Sequence, residues 1–375
     1  MIVRLFAALF GAVFLTNASA QELPAEVANA YSDYVEAAQA RDFEGAKSAA
    51  LEAWQAATRL EVDAETTAIL ADNYAQLANA LGDFVEASEA YGVAAELLVE
   101  TGQPDAVIID TWILAARSAL SAGETQTAHR YADTAGDMAE NLTEADPAAR
   151  AAQIFSSRAI QSNARWLDGR VSDAASRARE AMAAAANADL TENPSYGMMA
   201  FILGAYETIR REYSDAAYQL TVAYTYMPEQ RRILNYWVNY ARDQLDTEER
   251  AALLGRLSAL DIESTQLPAA PDAEIVAEFE AQGIFVDAEP ERRAAPQYPR
   301  GAAMAGFEGV TMLEFTVSER GRVEDVEVIF SLPFTDFGTE AEAIMDRWQY
   351  TPATLDGEAV ARPGMVTLFQ FRLDN

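Results

Sequence analysis

Up to about residue 262 the apolar and small residues recur at helical spacing. Five segments repeat one pattern: a polar or Gly residue, a small residue five positions on, and two further apolar or small residues at nine and twelve. The sets are Arg41/Ala46/Ala50/Ala53, Gly82/Ala87/Tyr91/Ala94, Gly123/Ala128/Ala132/Ala135, Gly169/Ala174/Ala178/Ala181 and Arg211/Ala216/Leu220/Ala223, with starts 41, 41, 46 and 42 residues apart. The last three positions of each set are separated by four and three, so they share one helix face. Small side chains there let a second helix approach closely. An apolar-periodic segment precedes each start, such as Ile69, Tyr74, Leu77 and Leu81, or Ile202, Leu203, Tyr206 and Ile209. Each repeat is therefore predicted as a helix, a tight turn at Gly or Arg, and an Ala-rich helix. Residues 229–262 read as a closing helical hairpin.

Two stretches, YAQLANALGDFVEASEAYGVAAEL from Tyr74 and LGAYETIRREYSDAAYQLTVAYTYMP from Leu203, resemble tetratricopeptide repeats. The second carries the Leu-Gly-x-Tyr start, the Tyr-x-x-Ala turn and a terminal Pro228. The resemblance implies an all-α tetratricopeptide-like solenoid over residues 21–262, a scaffold that holds peptides or proteins. The departure is the period, since that family repeats at about 34 residues. Longer helices or longer connections are expected. Aromatics gather in the last repeat and closing hairpin: Tyr206, Tyr213, Tyr218, Tyr224, Tyr226, Tyr236, Trp237 and Tyr240. They form either a peptide-binding patch or inter-helix packing. His129 reads as a surface or packing residue.

Composition shifts near residue 264. Eight of the 13 prolines lie at or after Pro268. Residues 263–284 lack an apolar period at first and read as a linker, with a short helix in EIVAEFEAQ. Beyond it the period changes to two. Leu313, Phe315 and Val317 alternate with polar residues, the turn Ser318-Glu319-Arg320-Gly321 follows, and Val326, Val328 and Phe330 alternate again. Phe337, Ala341, Ile344, Met345 and Trp348 form one helix stripe. Asp356-Gly357 marks a hairpin turn, and Met365, Thr367, Phe369, Phe371 and Leu373 alternate toward the C-terminus. The order strand, strand, helix, strand predicts a small α+β domain with one sheet face covered by a helix.

This segment, residues 285–375, resembles the C-terminal domain of the TonB family of energy transducers. The resemblance rests on PQYPRGAAMAGFEG (Pro296 to Gly309), the hairpin FTVSERGRVEDVEV, the helix end RWQYTP (Arg347 to Pro352) and the closing strand with FQFRL. It implies a periplasmic module that pairs its last, edge strand with the TonB box of an outer-membrane transporter, by strand addition. The candidate binding residues carried over are Val366, Thr367, Leu368, Phe369 and Gln370 on that strand, and Pro296, Gln297, Tyr298, Pro299 and Arg300. Tyr298 has a second reading, as a hydrophobic plug over the sheet. Trp348, Tyr350 and Phe371 read as core. A standard transducer carries a retained N-terminal anchor and a Pro-rich spacer; here helical repeats stand in the spacer's place.

Residues 1–20, MIVRLFAALFGAVFLTNASA, read as a signal peptide: Arg4, an apolar run, and Ala18-Ser19-Ala20 with cleavage between Ala20 and Gln21. The run is short against the ~20 residues of a spanning helix. The expected location is the periplasm, with an inner-membrane anchor as the alternative. The chain of 375 residues carries 59 acids against 27 bases, a net charge of −32. Such a field repels phosphate backbones and anionic membrane, so neither nucleic acid nor direct membrane binding is expected. With no Cys and one His there is no thiolate zinc site, no two-His metal cluster and no thiol nucleophile. No GxSxG, HExxH, P-loop or GxGxxG pattern occurs. No enzyme activity, cofactor, metal or catalytic residue is therefore expected. The function expected is that of a periplasmic adaptor that binds an outer-membrane TonB-dependent transporter or other envelope protein, its repeats holding a further partner, anchored or not. The alternatives are an anchored transducer for nutrient uptake and a self-associating envelope scaffold.

Overall fold

A computed structural model describes residues 23–142, 146–191 and 193–373. The signal segment expected at 1–20, with its cleavage point Ala20–Gln21, lies outside the described residues. The described residues form two compact units, one within 1–165 with 183–190 and the other within 166–182 with 191–375.

The first unit is built from helix pairs: α1 (Ala25–Ala40) with α2 (Phe43–Arg59), α3 (Ala64–Leu81) with α4 (Phe84–Glu100), and α5 (Asp105–Ser121) with α6 (Thr125–Asn141). The long α7 (Pro147–Leu167) follows, and α8 (Val171–Asn187), most of which belongs to the second unit, continues the same helix–turn–helix order. All five predicted turn residues are left-handed: φ is 62° at Arg41, 91° at Gly82, 78° at Gly123, 74° at Gly169 and 64° at Arg211. A left-handed residue ends one helix and lets its amide satisfy the last carbonyls, as Gly82 N–H does toward Ala78 and Asn79. Glycine takes that conformation without a Cβ clash; Arg41 and Arg211 take it at a cost of roughly 1–2 kcal/mol. Asp42 and Asp63 then open α2 and α3 by accepting from the amides of Gly45 and Thr66.

The small-residue columns are the contact faces. All 15 residues at the +5, +9 and +12 positions are at most 3% exposed. Around them Tyr74, Leu77, Tyr91, Ile109, Trp112 and Tyr131 complete the core of the first unit. Only residues 60–63 and 101–104 separate the first repeats. The extra period therefore lies in helices of 16 to 18 residues, rather than in loops. His129 turns its Nε2 to within 2.7 Å of the Arg165 guanidinium.

The second unit contains α9 (Pro194–Arg210), α10 (Tyr213–Tyr226), α11 (Arg231–Asp243), α12 (Thr247–Ser258) and α13 (Ala273–Gln282). Then come β1 (Phe285–Val286), β2 (Glu289–Arg292), α14 (Arg300–Ala305), β3 (Gly309–Val317), β4 (Val323–Leu332), α15 (Asp336–Glu342), β5 (Gln349–Thr351), β6 (Ala353–Leu355), β7 (Glu358–Val360) and β8 (Arg362–Phe371). The main sheet is antiparallel in the order β4-β3-β8; β2 pairs with β5, and β1-β6-β7 form a small sheet. The expected strand–strand–helix–strand order is thus β3, β4, α15, β8, with short strands added. The expected helix stripe is divided: α15 stops at Glu342, a 3₁₀ turn spans Met345–Arg347, and Trp348 is extended. Phe337, Ala341, Ile344, Met345 and Trp348 are all buried nonetheless.

The sheet is covered on both faces. Leu313, Phe315 and Val317 point toward α15, with Trp348, Tyr350 and Phe371 in the same core. The alternate residues Val310 and Met312 are also fully buried, although α15 lies on the other side. The last repeat and closing helices cover them. The Trp237 ring of α11 stacks on Phe330 at 4.3 Å, Tyr236 Oη donates to Glu314, and α9 packs on β3. Burying an aromatic or aliphatic side chain of this size contributes roughly 1.5–3 kcal/mol.

Candidate functional site

The last strand has a free side. β8 pairs with β3 and, among the described residues, with no other strand. Its register runs from Gly309 opposite Phe371 to Phe315 opposite Met365. Between Met365 and Phe371 it carries no charged side chain. The opposite edge, β4, places Glu324, Asp325 and Glu327 in solvent and is interrupted by register shifts. Charges discourage further pairing at an edge, so β4 is defended and the 365–371 stretch of β8 is not.

Alternation gives β8 two differently anchored faces. Phe369 and Phe371 meet Trp348 and Phe337 at ring separations of 5.5 and 4.9 Å. Gln370 points the other way: its amide donates to Thr208 O at 2.8 Å and Tyr213 Oη at 3.0 Å, and its Oε1 accepts from Arg211 Nε at 2.9 Å. At the strand's start Arg362, 1% exposed, donates to Asp287 at 2.8 Å and Asp272 at 2.5 Å. Asp272 precedes α13, so the buried guanidinium ties the segment before the domain to the base of β8.

The Pro-Gln-Tyr-Pro segment runs beside this edge. Tyr298 packs edge-on against Phe337 and Phe371 at 6.0 and 5.7 Å, and its hydroxyl donates to Phe307 O at 2.7 Å. Burial first, and then the Glu308 carboxylate, push its phenol up to about 12. The ring thus plugs the end of the sheet while one side stays accessible. Pro296 is half-buried, Gln297 and Arg300 are exposed, and Pro299 is buried as the residue that opens α14.

A groove of about 460 Å³ lies between the two segments. One wall holds Arg293, Ala294, Ala295, Pro296, Tyr298 and Trp348; the other is formed by residues 367–372. Of the ten sequence-derived binding candidates, Pro296, Tyr298, Thr367, Leu368, Phe369 and Gln370 line it, while Gln297, Pro299, Arg300 and Val366 do not. Sequence reasoning missed Arg293, Arg372 and Arg362. Arg293 sits in the charged run EPERR, and Arg372 ends an alternating strand near the C-terminus, so both look like ordinary solvated positions. Arg362 precedes a Pro-Gly pair that gives no sign of burial. Among the described residues no group of His, Cys, Asp and Glu is placed to hold a metal ion.

Residues 294–373 match the family model of the Gram-negative bacterial TonB protein C-terminal region. Protein TonB of Pseudomonas aeruginosa is 34% identical over 88 residues, 24% of this chain and 25% of the relative. Protein TonB of Yersinia enterocolitica is 31% identical over 81 residues, 22% of this chain and 29% of the relative. The solution NMR structure of the Pseudomonas aeruginosa TonB C-terminal domain is similar at 34% identity over 24% of this chain and 89% of that one, with a TM-score of 0.22. The chain spans about a quarter of the length of the curated relatives it matches. The chain is a set of tetratricopeptide-like helical repeats followed by a TonB C-terminal-like domain.

Proposed function

We propose that the protein is a non-enzymatic periplasmic adaptor. Its C-terminal domain takes an extended segment of an outer-membrane transporter, or of another envelope protein, as an added strand on β8, and its helical repeats hold a second partner. The observation that carries this reading is the meeting of an unpaired, uncharged edge with the Tyr298 segment in one groove. Unsatisfied backbone groups on such an edge hydrogen-bond to an incoming strand, and the groove walls select its side chains. The similarity of residues 294–373 to TonB C-terminal regions supports the same assignment. Among the described residues no helix is long and apolar enough to cross a membrane. If residues 1–20 are removed as a signal peptide, any pull from the inner membrane reaches this chain through an anchored partner, for which the repeats are the proposed surface.

The edge is tested with a pair of variants. Successive amides of a strand alternate in direction, so of Leu368→Pro and Phe369→Pro one removes an outward donor and the other a donor to β3. The variant that stays folded is expected to lose capture of transporters from envelope extracts. A folded variant that captures them as the parent does refutes the β8 edge as the site. Light scattering supplies the control: a concentration-dependent dimer abolished by the same proline would assign the edge to a second copy of the chain.

A further inference from the structure

The groove differs in charge from the molecule that carries it. In a chain with 59 acids and 27 bases, its charged wall residues are Arg293 and Arg372, with no Asp or Glu among the lining residues. The Arg293 guanidinium lies 5.1 Å from the Trp348 ring and 5.8 Å from Tyr350, which hold the cation at the wall. Trp348 in turn meets Phe369, so Arg293 stands on the α15 side of β8. On the opposite side Arg211, from the left-handed turn between α9 and α10, is bonded to Gln370. Arg293, Arg372 and Arg211 are exposed and form no ion pair among the described residues, although acids outnumber bases two to one. The nearby Glu308 carboxylate is engaged by the Leu373 amide at 3.1 Å.

Resting on the strand-addition reading above, we infer that the added segment is acidic, with carboxylates at the end that lies beside residues 369–372, and that the last repeat supplies part of its specificity through Arg211. An extended peptide sends successive side chains to opposite faces. Adjacent carboxylates would therefore meet Arg293 on one face and Arg211 on the other, with Arg372 at the end of the strand. Apolar positions would continue along Met365 to Leu368, where no charge is present. The site is thus composite: the edge and one arginine wall come from the TonB-like domain, the other arginine from the repeats.

The test uses the full chain and three labelled nonapeptides of one apolar-alternating sequence, ending in two acidic, two neutral amide or two basic residues. Fluorescence anisotropy is read at about 50 and 300 mM salt, conditions that straddle a Debye length of about 10 Å. The acidic peptide is expected to bind at least tenfold tighter than the neutral one, with most of that ratio lost at high salt. Arg293→Gln and Arg211→Gln are each expected to lower the acidic-to-neutral ratio severalfold, with unchanged far-UV circular dichroism confirming the fold. Equal affinity for acidic and neutral peptides overturns the charge assignment while leaving strand addition standing. A full acidic preference in Arg211→Gln overturns the contribution of the repeats. Failure of all three peptides to bind counts against strand addition itself, and with it this inference.

Discussion

Trp237 of the closing helix α11 stacks on Phe330 of strand β4 at 4.3 Å with 24° between the ring planes. A helix that follows the repeats and a strand of the TonB-like domain thus share one buried contact, with Trp237 only 1% exposed. If the two elements fold together, mutation of either ring is felt by the other. Trp237→Leu and Phe330→Leu are expected to destabilise by about 2–4 kcal/mol each, and the double variant by less than their sum. The coupling expected for an aromatic pair is about 0.5–1.5 kcal/mol. Urea denaturation of the four proteins measures it; strict additivity would mean that the domain and the closing helices fold independently.

Arg362→Met removes a buried cation and leaves Asp272 and Asp287 facing each other without it. A loss of about 1–3 kcal/mol is expected, since both carboxylates keep part of their contact with solvent. Adding Asp272→Asn and Asp287→Asn is expected to restore a good part of it, because the uncompensated charges are then gone. Thermal melts of the single and triple variants check this. A triple variant no better than the single would assign the loss to packing of the arginine stem instead.

Ala132→Leu probes the repeat columns. Ala132 is fully buried on α6, beside Ala128 and Ala135. Three added carbons have no space there, so a cost of about 1–3 kcal/mol is expected. The exposed Thr134 on the same helix provides the control position. Thr134→Leu is expected to change stability by less than about 0.5 kcal/mol.

Glu207 on α9 is a pH-dependent element. It is 5% exposed, its Oε2 has no hydrogen-bond partner, and Arg179 stands 3.7 Å away. Burial, reinforced by Asp215, raises its carboxyl to about 7. A raised acid favours the protonated folded state. Its contribution is therefore complete below the ordinary glutamate range and is lost as pH rises through about 7. Glu207→Gln is expected to be more stable than the parent at pH 8, by up to ~3 kcal/mol, and equal to it near pH 4. Melting curves across that range measure it; a pH-independent difference would refute the titration of Glu207.

Much of the architecture was legible because it is local. A left-handed turn at Arg41, Gly82, Gly123, Gly169 and Arg211, and the burial of the mostly alanine columns after it, follow from a pattern that spans only 13 residues. The alternation of Leu313, Phe315 and Val317 and the turns at Gly321 and Asp356-Gly357 were readable for the same reason. The division of the 337–348 stripe into a helix, a 3₁₀ turn and an extended Trp348 was less so, since a stripe records which side chains are buried and not how the backbone delivers them.

The faces of each element and the order of helices and strands are local properties of the chain, because periods of 3.6 and 2 belong to neighbouring residues. Which faces meet is set by the tertiary structure. It buried Val310 and Met312 under the closing helices, placed Tyr298 beside a strand some 70 residues away, sank Arg362 between two carboxylates, and put Arg211 against Gln370. These relationships join positions far apart in the chain, and their charged members read in sequence as solvated. Their burial or pairing is decided by the shape and charge of what packs against them.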